Sequence, residues 1–208
     1  RHYAPDDAES RAIHAQMLAA YNSAQVFLKV QPSMPMPGLR NVQQISPIAQ
    51  LGIKQRSRME AHLLPDEVTK YPEKHDDVCA NPHPQSLPRW EREAKPFSLQ
   101  GKGWGGGNAR KLVLVAMGGI DYRLPMEHWP HIPGVRWLIP QAWNIQRDDM
   151  IDLESLGMSF NDVLASVDAV LTKPGYGTFA EAAGAGVPVL YVSRGDWPEQ
   201  PYLVDWLR

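Results

Sequence analysis

The residues whose types and spacing best suit chemistry lie in Lys173-Pro174-Gly175-Tyr176-Gly177-Thr178 and in the polar run Arg194-Gly195-Asp196-Trp197-Pro198-Glu199-Gln200. The first stretch joins a β-branched run, Val167 to Thr172, to an Ala-rich segment, Thr178 to Ala185, closed by Gly184 and Gly186. That composition predicts a buried strand, a glycine loop and a helix. Gly175 and Gly177 admit positive φ and let a ligand approach the backbone with no Cβ in the way. A helix start carries unpartnered amides and the positive end of the helix dipole, so the chemistry on offer is the binding of a phosphate or diphosphate. A tight strand-to-helix turn accounts for the same two glycines without a ligand. Thr178-x-x-Glu181 fits a capping box, and Glu199-Gln200 fits an exposed loop pair packed by Trp197-Pro198.

These residues need a scaffold. Val187 to Val192 repeats the strand composition of Val167 to Thr172, so the loop and helix sit inside a βαβ unit. Lys111 to Met117 is the strongest strand signal and runs into Gly118-Gly119, either a tight turn or a backbone path beneath a ligand. It is expected to be the first, central strand. Val135 to Ile139 forms a second strand, with Pro140-Gln141-Ala142 at its carboxyl end. Ser159-Phe160-Asn161-Asp162 opens a short helix with an S-x-x-D pattern and sets Phe160, Val163 and Leu164 on one face. The series folds most simply as an α/β, Rossmann-like doubly wound parallel sheet, whose ligand site lies beyond the carboxyl ends of its strands.

Upstream, Asp7 to Ala24 has helical spacing at Ile13, Met17, Leu18 and Tyr21, Ala24 to Val30 and Asn41 to Ile48 read as strands, and Met34 to Pro37 is an extended loop. Three regions result: 1–50 as the end of a second α/β domain, 51–110 as a helix end and a long irregular insertion, and 111–208 as the ligand-binding domain. The insertion closes with Gly101-Lys102-Gly103-Trp104-Gly105-Gly106-Gly107, which spells G-x-G-x-x-G but precedes a strand instead of following one. His75, Cys79 and His83 match no zinc spacing, and Asp121, His128 and His131 are assigned no chemistry, so no metal is expected.

A net charge of −2 gives no electrostatic footprint for nucleic acid. No apolar run approaches the ~20 residues that span a bilayer, and no charged-then-apolar leader opens the chain, so a cytoplasmic site is expected. The single Cys79 excludes an internal disulfide. The start at Arg1 and the end at Trp206-Leu207-Arg208, which reads as helix interior, lead us to expect a fragment.

Taken in order, K-P-G-Y-G-T-F-A-E-A, G-V-P-V-L-Y-V and R-x-D-W-P-E-Q resemble the C-terminal donor domain of GT-B nucleotide-sugar glycosyltransferases, of the family 28 kind. The resemblance covers the last hundred residues or so, with a weaker echo in the first fifty, where Ile45-Ser46-Pro47-Ile48 is similar to the exit from an acceptor domain. It implies that Gly175, Gly177 and Thr178 hold a donor diphosphate, with Tyr176 in the same donor-binding loop, and that Glu181 binds ribose hydroxyls. It further implies that Glu199 and Gln200 contact the sugar, that Arg194 belongs to the donor-binding set, that Gly118-Gly119 faces the phosphates, and that Gln141 borders the base. The implied reaction moves a sugar from a nucleotide diphosphate, expected to be UDP, to an unidentified acceptor hydroxyl, with neither metal nor cofactor. A noncatalytic nucleotide-sugar-binding or sensing module is the alternative. The 51–110 insertion departs from the family pattern.

Overall fold

The computed structural model describes residues 6–63, 110–119, 122–195 and 197–208. The glycine run from Gly101 to Gly107, the trio His75, Cys79 and His83, and Asp121 lie outside the described residues.

The chain opens with helix α1 (Ala8–Ser23), capped by Asp7, whose carboxylate accepts the Ser10 amide at 2.7 Å. Strands β1 (Phe27–Val30) and β2 (Val42–Ile45) follow and pair in parallel, Phe27 opposite Val42. Both are shorter than their apolar runs predict. The expected apolar face of α1 exists, yet no residue of the helix is buried, and Ile13, Met17 and Tyr21 stay exposed.

Residues 46–55 lead to helix α2 (Arg56–Leu63), at the head of the stretch the sequence reads as a helix end and an irregular insertion. Its pattern is polar, so tertiary anchors decide it: Met59 is fully buried, and Arg56 donates to Asp168 at 2.8 Å and to the carbonyls of Ser166 and Arg110. Burial by itself would raise the Asp168 pKa. The Leu112 amide, then the Arg56 guanidinium and the Lys111 ammonium, outweigh that and hold it below the ordinary carboxylate value.

The main sheet has five parallel strands: β3 (Lys111–Ala116), β4 (Val135–Ile139), β5 (Met150–Asp152), β6 (Ala169–Thr172) and β7 (Val189–Tyr191), in spatial order β5-β4-β3-β6-β7. β3 is central and almost wholly buried, as its unbroken apolar run predicts. β5 escaped the sequence reading because three residues carry no period, and it exists through its pairing of Trp137 with Met150. β7 is only partly covered, an edge strand where a doubly covered one was expected.

Helix α3 (Phe160–Ser166) is capped by Ser159, whose hydroxyl accepts the Asp162 amide. Val163 and Leu164 enter the core as expected, whereas Phe160 sits at the first helical position and stays exposed. Helix α4 (Tyr176–Ala185) follows β6 and buries Phe179, Ala180 and Ala182, the Phe179 ring alone stabilising by about 1.5–3 kcal/mol. Helix α5 (Gln200–Leu207) closes the chain with Leu203 buried. Among the described residues no helix is long and apolar enough to cross a membrane.

Candidate functional site

The order of the sheet selects one place on it. From β3 the chain runs outward through β4 and β5, then returns across α3 to β6 on the other side of β3. The carboxyl ends of β3 and β6 therefore lie side by side where the winding reverses, which is where open α/β sheets bind ligands. Ala116 pairs with Thr172 there, and the Thr172 hydroxyl donates to the Ala116 carbonyl at 2.6 Å, fixing the two ends together.

Gly118 turns the chain just past β3 with φ of +66°, a left-handed conformation that favours glycine. The Lys173 ammonium stands directly over it: a Cβ on Gly118 would lie 3.0 Å from Nζ. Burial lowers the Lys173 pKa, and the nearby charge of Arg194 lowers it further. Among the described residues neither cation has a carboxylate partner, and the Arg194 guanidinium rests over the Trp197 ring at 4.2 Å. Two neighbouring cations with no carboxylate partner among the described residues set up a local positive potential.

The helix beside them begins at Tyr176, two residues before the expected Thr178. Gly175 is the N-cap, in extended backbone and without a side-chain cap, and the Phe179 amide donates back to its carbonyl. The amides of Tyr176, Gly177 and Thr178 thus precede the first helical hydrogen bond and are available to a ligand. Thr178 and Glu181 fall inside the helix, so the Thr178-Glu181 capping box does not form. The glycines also differ from expectation. Neither Gly175 nor Gly177 has positive φ, and a Cβ on Gly177 would meet nothing within 4 Å. Neither a positive φ nor close packing accounts for Gly177.

No protein family model, curated protein or solved structure matches this chain. What the site can do therefore follows from its own geometry.

The other residues singled out by sequence surround this edge unequally. Gly119 is exposed beside Gly118, and Gln141 is exposed just past the end of β4, its amide held by the Glu154 carboxylate at 2.8 Å. Glu181 is half-buried; burial raises its pKa and a hydrogen bond from Asn161 partly opposes the rise. The Glu199 carboxylate makes no hydrogen bond among the described residues and does not cap α5. Gln200 is already engaged, accepting the Arg194 amide at 2.7 Å and donating to Ser193 at 2.9 Å, so it shapes the loop after β7. The Tyr176 hydroxyl turns towards the N-terminal segments, leaving its amide on the loop side.

Sequence reasoning missed Lys173 and Asn161. Lys173 was legible as a cation at the end of a buried parallel strand, next to a glycine loop. Asn161 looked like the second residue of a capped helix and showed no sign of its contact with Glu181.

Among the described residues one group has metal-like spacing: ligand atoms of His131, Asp148 and Asp149 lie within 4.8 Å of one another. They border a cleft of about 230 Å³ before β4 and β5, at the amino ends of the strands and opposite the glycine loop. Arg147 takes both Asp149 oxygens, at 2.9 and 2.7 Å, and donates to the carbonyls of Met126 and Trp129. Asp149 thus serves a buried clamp that fastens the turn ahead of β4.

Proposed function

We propose that this chain carries the donor half of a nucleotide-sugar glycosyltransferase of GT-B type, with a nucleoside diphosphate seated at the carboxyl ends of β3 and β6. One observation carries the proposal: Lys173 and Arg194, which have no carboxylate partner among the described residues, neighbour each other beside Gly118 and the start of α4, at the point where the sheet reverses its winding. A diphosphate matches that set in charge and in hydrogen-bond demand. Glu181, half-buried on the same helix, supplies a carboxylate for ribose hydroxyls, as the motif resemblance implies.

In the transfer, the bond from the sugar's anomeric carbon to the diphosphate breaks and the diphosphate keeps the electron pair. The acceptor oxygen bonds to that carbon, and its proton passes to a base. The charge on the departing diphosphate grows as the bond breaks, and fixed cations and amides stabilise that growing charge more than they stabilise the ground state. Lys173 and Arg194 supply neutralisation that a divalent ion supplies elsewhere, so the binding is expected to be metal-independent.

Calorimetric titration of UDP into the chain, with and without a chelator, tests this. Binding is expected in both buffers, and Lys173→Met should weaken it roughly tenfold or more, the loss of one charge-assisted contact. Loss of binding in the chelator would contradict the metal-free mechanism. Absence of binding in both would remove the donor site.

A further inference from the structure

We propose that residues 48–55 form a strap that covers the nucleoside side of the site and must peel away before a nucleotide can occupy it; this inference rests on the donor-site reading above. Three strap amides are held by side chains of the two helices that frame that side. Ile48 N donates to the Tyr176 hydroxyl at 2.8 Å, Ile53 N to Asp162 Oδ1 at 2.7 Å, and Gln55 N to the Ser166 hydroxyl at 2.8 Å. Between them the Gln50 carbonyl accepts the Asn161 side-chain amide, and Asn161 lies close enough to Glu181 to oppose the rise in its pKa. Leu51 lies on Gly184, so close that a Cβ there would stand 2.5 Å from Leu51 Cδ2. Gly184 is three residues beyond Glu181 and shares its face of α4. The strap therefore crosses the helix face that carries the carboxylate.

Its attachment is of a kind that can be undone. Ile48, Leu51 and Ile53 are 63%, 58% and 71% exposed, so little apolar burial holds the segment down. A linker selected only for rigidity would turn those side chains inward. The downstream end is firmly fixed, with Met59 fully buried and Arg56 bound to Asp168, whereas the middle relies on single hydrogen bonds. Gly52 makes the contact possible: a Cβ there would collide with the Asn161 carbonyl oxygen, a backbone atom. Its φ is not positive, so close approach alone explains the glycine.

The test combines UDP calorimetry with hydrogen exchange at the Ile48, Ile53 and Gln55 amides, on the whole chain and two variants. Gly52→Ala pushes the strap off α3, and Asp162→Ala removes one clasp without a steric clash, so a folding failure in one leaves the other informative. UDP should accelerate exchange at Ile53 at least tenfold in the parent chain, and both variants should bind UDP roughly tenfold more tightly. UDP binding with Ile53 still protected, or equal or weaker binding in the variants, would overturn the strap while leaving the donor site standing. Failure of UDP to bind any of the three proteins would overturn the donor site, and the strap's ligand with it.

Discussion

At the scale of single residues, Glu181 separates function from stability. Burial raises its pKa, and a carboxyl whose folded pKa is raised gives stability at low pH that is lost as pH climbs through the folded value, above the ordinary 4.5. At neutral pH the ionised group is therefore a cost to the fold. Glu181→Gln should melt no lower than the parent at pH 7, with any gain disappearing below pH 4, where both side chains are neutral. UDP affinity should nonetheless fall roughly tenfold, because a carboxylate accepting ribose hydroxyls makes stronger hydrogen bonds than an amide. Thermal melts at the two pH values beside UDP titrations check both parts. A lower melting temperature with unchanged affinity would mean that Glu181 is structural.

At the scale of elements, the glycine loop offers a similar contrast. Gly177 is the second residue of α4, has no unusual φ and faces open space, so Gly177→Ala should stabilise the helix by about 0.5–1 kcal/mol. The added methyl would also stand over the amides offered to the diphosphate. A higher melting temperature with UDP binding weakened tenfold or more is the expected pair of results; a higher melting temperature with full affinity would place the ligand elsewhere. The same loop shows what was legible in the sequence. β3, β4 and β6 announced themselves as continuous apolar runs because central parallel strands are covered on both faces. The start of α4 was placed two residues late because Gly177 has low helix propensity and tertiary packing overrides it. Where α2 lies only a helix end was legible, because its stability comes from Met59 and from Arg56 reaching Asp168, a partner far along the chain. The strap was illegible for the same reason: Gln50, Ile53 and Gln55 find their partners across more than a hundred residues of sequence.

At the scale of the whole molecule, the parallel sheet has two unlike ends. Its amino end carries the Arg147–Asp149 clamp with His131 and Asp148, a set of groups that satisfy one another. Its carboxyl end carries cations and amides that, among the described residues, do not. That asymmetry is the central claim, since an ion site is recognised by what lacks a partner. The most direct measurement follows backbone amide resonances of the isotopically labelled chain during a UDP titration in chelator. Gly118, Gly177 and Thr178 should shift together along one saturable curve while Gly134, Asp148 and Asp149 stay still. Stationary carboxyl-end amides under millimolar UDP, or shifts confined to the amino-end cleft, would contradict the account.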